Sequence, residues 1–480
     1  MNWHDKKILV LGAGDTGLSV VRWGQRVGAR VRLADTRDHP PGIDELQRTH
    51  ADVEYLAGPW RSARFDAFVG DAELIVASPG VAIAGPACDP AIARAIAAGK
   101  EIIGDIELFA RQQNSLNGQI GKKPKVIGIT GSNGKSTVTA MTGAMCAAAG
   151  MRTIVAGNIG LPVLDALALA DRDGEPDVYV LELSSFQLET TASLMLDAAT
   201  MLNLSQDHLD RYASMDDYAA AKKRIFIHAK HQVLNRDDLV SMSMLANGVE
   251  YSTFGSDVTT YGDYGLDLRS NALCEKHDPF IGIEELSVTG THNALNALAA
   301  FALCRATGLA PEPLVDGLRH FKGLPHRVEK VGVINGVSFY DDSKGTNVGS
   351  TVAALNGMTV PVILIAGGEG KEQDFSPLAE PVRRHAKAVV LIGKDARLIE
   401  SAITSARSFS NIPNIHAASM ADAVEIAYSR ASPGDAVLLS PACASFDMFR
   451  NYKHRGEMFA QCVRTLKRKV ERNGEGSGAV

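Results

Sequence analysis

The segment Gly131-Ser132-Asn133-Gly134-Lys135-Ser136-Thr137 follows the apolar run Val126–Thr130 and precedes an Ala-rich stretch, Val138–Ala149. Backbone N–H groups in such a loop cradle phosphates, the lysine ammonium reaches the terminal phosphates, and the Ser136 or Thr137 hydroxyl ligates Mg²⁺. The spacing is a variant, because the standard pattern has a glycine where this chain has Ile129, five places before Gly134. Strand, Gly-rich loop and helix in that order predict a nucleoside triphosphate site.

Other residues suggest metal and ligand chemistry. Glu182 ends the apolar run Val178–Leu183. A carboxylate there must meet a cation or cap a neighbouring helix, since burying it unpaired is costly. His208 lies in a polar turn, where a lone histidine is more often a structural hydrogen-bonder than a ligand. Lys222, on a helix with Tyr218 and Ala221, reads from composition as an ordinary surface lysine. Asn296 shares a helical face with both His292 and Asn293, and amide side chains there either read an adenine edge or cap the helix. Asp342, Lys344 and Thr346 alternate after Val333–Phe339, itself expected to be a strand, which suits an extended chain presenting one face, or else a hydrated turn. Lys371 closes the Gly-rich loop Gly367-Gly368-Glu369-Gly370-Lys371.

Near the start, Gly12-Ala13-Gly14-Asp15-Thr16-Gly17 follows the run Lys7–Leu11, and Asp35 ends the next apolar run. This satisfies the dinucleotide-binding fingerprint, in which glycines allow close backbone approach and a helix N-terminus receives phosphate. Asp15 puts a negative charge where a diphosphate would approach, which is unfavourable unless its side chain points away. An NAD-dependent oxidoreductase would have no use for a second phosphate loop. An ATP-binding regulatory protein would have none for Glu182, His208 and Lys222.

The elements that position these residues alternate. Short β-branched runs (Lys7–Leu11, Arg30–Ala34, Leu74–Ala77, Val126–Thr130, Val178–Leu183, Ala198–Leu202, Val362–Ala366, Ala388–Ile392, Ala436–Leu439) are separated by Ala-rich helical stretches. That pattern predicts α/β folding around parallel sheets. Seams at Asn114–Lys123 and Gly323–Pro325 divide the 480 residues into three expected domains, 1–118, 119–323 and 324–480. The first is expected to be Rossmann-like, the second a P-loop ATPase-type α/β domain, and the third Rossmann-like again. The Gly-rich tail Glu471–Val480 is expected to be disordered.

A net charge of −6 gives no reason to expect nucleic acid as a partner. No stretch approaches the roughly 18 apolar residues of a membrane span, and from the polar start Met1–Lys7 no targeting segment is expected. Cys88, Cys146, Cys274, Cys304, Cys443 and Cys462 form no C-x-x-C pair and read as buried thiols in a reducing compartment. A cytoplasmic monomer acting on small molecules is expected.

The loop Thr130–Thr137 resembles that of the Mur ligases, and the likeness continues along the chain. It includes Gly157-Asn158-Ile159-Gly160, Glu182–Leu188, Asp207-His208-Leu209-Asp210-Arg211-Tyr212, Ala221–Arg224 and His292-Asn293. Gly323–Arg327, Asp341–Asn347 and Ser440–Ser445 follow in order. The resemblance implies an ATP-dependent carboxylate–amine ligase. Its expected reaction joins D-glutamate to the L-alanyl carboxylate of UDP-N-acetylmuramoyl-L-alanine through an acyl phosphate, for peptidoglycan precursor synthesis.

The resemblance also implies roles for single residues. Gly131–Thr137, Asn293, Asn296, Arg327, Asp342 and Lys344 would bind ATP. Ser136, Glu182, His208 and Lys222, the last as a carbamate, would hold Mg²⁺; matching on Tyr212 and Arg224 favours Lys222 over Lys223. Thr16, Asp35, Thr36, Arg37, Gly80 and Asn158 would bind the UDP-sugar. Thr346, Lys371, Ser445 and Tyr452 would bind the amino acid. Lys135, Arg327 and Lys344 would offset charge in the transition states.

Overall fold

The computed structural model describes residues 2–115, 123–258, 263–405 and 412–476. Three sheets, all flanked by helices, carry an α/β fold. The nine strands expected from the alternation are present, with ends shifted by at most two residues.

The first sheet is parallel. It contains β1 (Lys7–Leu11), β2 (Arg30–Asp35), β3 (Glu54–Ala57), β4 (Leu74–Ala77) and β5 (Ile102–Ile103), in the order β3-β2-β1-β4-β5. Strand order reverses at β1, so the loops after β1 and β4 leave in opposite directions and open a crevice at the carboxyl edge. Glycine is required in the first of them. Gly12 has φ +95°, and a Cβ on Gly17 would lie 1.8 Å from the Gly12 carbonyl oxygen.

The second sheet repeats this logic with β6 (Lys125–Thr130), β7 (Thr153–Gly157), β8 (Val178–Glu182), β9 (Ala198–Met201), β10 (His231–Asn235) and β11 (Glu250–Gly255). β12 (Tyr264–Asp267), β13 (Ala272–Glu275) and β14 (Asp278–Gly282) extend it as an antiparallel meander. Its order is β14-β13-β12-β11-β10-β9-β6-β8-β7. β6 lies between β8 and β9, at the reversal, and Ile127 and Ile129 in it are fully buried. Truncating either to Ala would cost about 2–5 kcal/mol.

The third sheet comprises β15 (Glu329–Ile334), β16 (Val337–Asp341), β17 (Val362–Gly367), β18 (Ala386–Ile392), β19 (Asn414–His416) and β20 (Ala436–Leu439). The order is β15-β16-β20-β17-β18-β19, with only β15 antiparallel. The expected single strand Val333–Phe339 is instead a hairpin. Asn335 and Gly336, at φ +46° and +79°, turn the chain between β15 and β16, the backbone that an Asn-Gly pair favours.

The described residues form two compact units. One contains Met1–Leu204, Asp210–Gly282 and Ala297–Arg319, and the other Ser205–Leu209, Ile283–Asn296 and His320–Val480. Residues 116–122 of the first expected seam lie outside the described residues. The tail expectation is corrected up to Gly476, because the helix Tyr452–Gly476 runs that far; residues 477–480 also lie outside. All six cysteines are free; Cys88 and Cys462 are only partly buried.

Candidate active site

In the first unit, β6 delivers the chain into the phosphate loop. Asn203, just beyond β9, holds that loop open. Its carbonyl oxygen accepts from Ser132 N–H at 2.9 Å, its Oδ1 accepts from Asn133 N–H at 2.9 Å, and its Nδ2 donates to the Asn133 carbonyl. Gly134 takes φ +83° and the helix Lys135–Ala148 begins directly after it. The Lys135 ammonium donates to the carbonyls of Gly131 and Ser132, each at 2.8 Å. The loop's N-terminal helix turn and lysine are the groups a polyphosphate would meet.

Glu182 lies at the carboxyl end of β8, beside Ile129 of β6. It is 2% exposed, and Asn158 Nδ2 donates to its Oε1 at 2.8 Å. Its Oε2 is buried with no hydrogen-bond partner among the described residues. Helix capping, the other reading of this carboxylate, falls to Ser184, which forms a reciprocal box with Gln187. Gly157 permits the approach of the neighbouring strand, since a Cβ there would lie 2.3 Å from the Glu182 carbonyl oxygen. A buried carboxylate oxygen left unpaired is costly unless a cation occupies its lone pairs.

Lys222 corrects the composition-based reading outright. It is 1% exposed, whereas Lys223 is on the surface. Its Nζ donates to the Gly131 carbonyl at 2.7 Å and lies 4.5 Å from the Tyr218 ring centroid, and Tyr218 in turn accepts from Ser132 Oγ at 3.3 Å. The structure thus brings Lys222 to the phosphate loop from a helix about ninety residues further along the chain.

Asp35 is buried at the end of β2. Its Oδ2 accepts from Ala13 N–H and Arg37 Nη2, both at 2.7 Å, and its Oδ1 accepts from Arg37 N–H and Nε at 2.9 Å. Burial alone would raise its pKa, but these hydrogen bonds outweigh it and hold the carboxyl below its usual value. Thr36, Arg37 and Gly80 are exposed at the crevice mouth, Thr16 is half-buried, and Asp15 is exposed in the first turn of the helix Asp15–Arg26.

The second unit holds the remaining residues. His208, at φ +57°, follows Asp207, whose Oδ1 accepts the His208 N–H at 2.9 Å. Asn347 Nδ2 donates to Asp207 Oδ2 at 3.2 Å, so two motifs 140 residues apart meet. Asn296 Nδ2 donates to Asn293 Oδ1 at 3.2 Å, and Asn293 Nδ2 to the Thr289 carbonyl at 2.8 Å.

The segment after β16 is a turn and not the extended chain expected from its alternation, closed by Gly345 N–H donating to the Asp342 carbonyl at 2.8 Å. Asp342 is buried, and desolvation pushes its carboxyl up to about 7 against the Ser440 hydroxyl, 2.6 Å away, and the charge of half-buried Arg327. The Lys344 ammonium stacks 4.1 Å from the Tyr452 ring centroid.

The Gly-rich loop holding Lys371 is pinned. Glu369 and Ala444 exchange backbone hydrogen bonds at 3.0 and 2.9 Å. Gly368 is required there, as a Cβ would lie 2.2 Å from the Ala444 carbonyl oxygen. Lys371 itself is exposed at φ +49°, Ser445 is buried, and Thr346 is half-buried.

Asn203 and Arg455 are not singled out by any sequence motif, and Ser440, though it opens the Ser440–Ser445 motif, had no role expected of it. Arg455 is fully buried, donating to Ser343 Oγ and to the carbonyls of Ser343, Cys443 and Ala444. Burial lowers its pKa to about 10, so it stays charged at neutral pH. A cation inside an apolar helical stripe is a signal visible in the sequence; its partners are not.

Three family models match this chain: the Mur ligase MurD-like N-terminal domain over residues 6–104, the Mur ligase middle domain over 129–304, and the Mur ligase glutamate ligase domain over 326–443. It is similar to UDP-N-acetylmuramoylalanine--D-glutamate ligase of Methylobacillus flagellatus, with 51% identity over 97% of this chain and 98% of the relative. Against the protein of that name from Thiobacillus denitrificans the identity is 53%, over 96% of each chain. Among solved structures, the UDP-N-acetylmuramate-alanine ligase of Thermotoga maritima shares the fold at TM-score 0.60 and 18% identity, over 96% of this chain and all of that one.

Proposed function

The chain belongs to the Mur ligase family, and we propose that it joins D-glutamate to the L-alanyl carboxylate of UDP-N-acetylmuramoyl-L-alanine, driven by ATP. The observation that carries the reaction class is the phosphate loop with the buried, half-unpaired Glu182 beside its strand. The choice of substrate rests on likeness to full-length relatives of that name.

A carboxylate is a poor electrophile, so the γ-phosphoryl group of ATP first passes to one of its oxygens, giving an acyl phosphate and ADP. The amine of D-glutamate then attacks the carbonyl carbon. The tetrahedral adduct expels phosphate, and the nitrogen gives up a proton as the amide forms. Loop N–H groups and Lys135 receive the phosphates, exchanging the Gly131 and Ser132 carbonyls for phosphate oxygens. Arg327 and Lys344 are assigned to phosphate, Asp342 to the ribose, and Asn293 and Asn296 to the adenine. Thr346, Lys371, Ser445 and Tyr452 are assigned to the amino acid, whose two carboxylates call for cations and hydroxyls. Thr16, Thr36, Arg37, Gly80 and Asn158 are assigned to the UDP-sugar, with Asp35 holding Arg37 in place.

A hard divalent cation fits the oxygen-rich set of Ser136, Glu182 and a carboxylated Lys222, with His208 assigned alongside. Mg²⁺ there would neutralise charge on the transferring phosphoryl group. An ammonium on Lys222 would repel it. N-carboxylation, in which the neutral amine attacks CO₂ and releases one proton, turns that repulsion into attraction. The carbamate keeps one N–H, so the donor to Gly131 survives. We place the enzyme in the cytoplasm as a monomer; no helix among the described residues is long and apolar enough to cross a membrane.

The test is ADP release with UDP-N-acetylmuramoyl-L-alanine and a panel of amino acids. D-Glutamate alone should support turnover. Turnover with another amino acid and none with D-glutamate would overturn the reading.

A further inference from the structure

Arg211, in the Asp207–Tyr212 motif, has no role in the chemistry described above, yet it is only 7% exposed. Its Nη1 donates to the Pro79 carbonyl at 2.8 Å, and its Nη2 reaches the Val81 carbonyl at 3.5 Å and Glu189 Oε2 at 2.8 Å. The guanidinium carbon lies 4.0 Å from the Phe186 ring centroid. Glu189 is held in turn by the Tyr212 hydroxyl. Phe186 and Glu189 belong to the short helix Ser185–Glu189, which directly follows Glu182-Leu183-Ser184.

The two carbonyls flank Gly80, in the loop after β4 at the reversal of the first sheet. Gly80 is exposed, and nothing lies within 4 Å of where its Cβ would be. The loop Ser78–Val81 is therefore fixed from behind by a cation outside its own sheet, while its ligand side stays open. A guanidinium suits this task, since its planar fork holds two carbonyls and a carboxylate at once with little loss of freedom.

We propose that Arg211 is a positioning residue for the UDP-sugar, setting the loop that presents Gly80 through its grip on Pro79 and Val81. The inference rests on the reading that the first sheet binds a uridine nucleotide. It makes affinity for that nucleotide depend on a residue in the turn between β9 and the helix Met215–Lys223, and it ties the nucleotide loop to the helix that continues from Glu182.

Calorimetric titration of the full chain with UDP-N-acetylmuramoyl-L-alanine tests it, with a non-hydrolysable ATP analogue as a second ligand on the same samples. Arg211→Met should weaken UDP-sugar binding about tenfold or more, on the scale of losing charge-assisted hydrogen bonds, and leave the ATP analogue unaffected. Arg211→Lys should fall between. Glu189→Gln, which loosens the guanidinium without emptying its place, should raise KM for the UDP-sugar more than it lowers kcat. Should Arg211→Met fail to bind the ATP analogue, and so to fold, Glu189→Gln decides. Unchanged UDP-sugar affinity in folded Arg211→Met, or unchanged KM in Glu189→Gln, would overturn the proposal. A wild-type protein that does not bind the UDP-sugar would instead overturn the reading on which it rests.

Discussion

Lys222 donates its Nζ–H to the carbonyl oxygen of Gly131 at 2.7 Å, so a buried lysine closes on the first glycine of the phosphate loop. A cation in that place either compensates phosphate directly or is converted to an anion that holds metal, and the two cases respond differently to substitution.

Lys222→Ala should lower turnover by about 10²–10³-fold, the scale of losing one preorganised electrostatic group, with UDP-sugar binding nearly unchanged. Acetate should partly restore it by placing a carboxylate where the carbamate was. Bicarbonate should stimulate CO₂-depleted wild type and not the Ala variant. Near-normal steady-state rates in Lys222→Arg, which keeps the charge but cannot be carboxylated, would rule the carbamate out.

Glu182→Gln separates function from stability. The Oε2 atom is buried without a partner among the described residues, so a neutral amide of the same shape removes a desolvation cost. Metal-free Glu182→Gln should melt at or above the wild-type temperature while its Mg²⁺ requirement rises sharply. A large drop in melting temperature without metal would mean that the carboxylate is structural.

The folded-state pKa of Asp342, about 7, lies above its ordinary 3.8. A raised carboxyl contributes stability that is fully present below about 4 and is lost as pH rises through about 7. Asp342→Asn lacks this titration. Denaturant unfolding of both proteins should show the Asn variant gaining relative to wild type as pH rises from about 4 to 7, and level above that. A difference that does not change with pH would show the group to be ionised throughout.

Both carboxylate oxygens of Asp35 are engaged by Ala13 and Arg37, so neither is left to receive the ribose hydroxyl that the dinucleotide fingerprint requires. Titration with NAD should give no heat, and titration with UDP-N-acetylmuramoyl-L-alanine should saturate. Arg37→Ala should weaken the latter. Micromolar NAD binding would reinstate an oxidoreductase.

Elements whose signal is local are legible in the order of residues. The runs Lys7–Leu11, Leu74–Ala77 and Ala436–Leu439 are buried on both faces of parallel sheets, so their apolar character is continuous. Strands that the pattern does not predict carry weaker signals: Ile102–Ile103 has two residues, and Thr153–Gly157 is a half-buried edge. The hairpin at Asn335-Gly336 is written in the sequence as an Asn-Gly pair, hidden within a longer apolar run.

For the site, residue order suffices to specify the phosphate loop, because strand, glycines, lysine and helix are consecutive and their chemistry is that of one backbone turn. The succession of the motifs is likewise a property of the chain. What those motifs meet is settled only by packing in three dimensions. Burial of Lys222 depends on where its helix packs, and Lys223 beside it has the same composition and the opposite fate. Asn203 on the phosphate loop, Asn347 on Asp207, and Arg211 on Pro79 join residues 70 to 140 positions apart. Such pairs leave no periodic trace along the chain, since a hydrogen bond constrains two side chains in space and nothing in between.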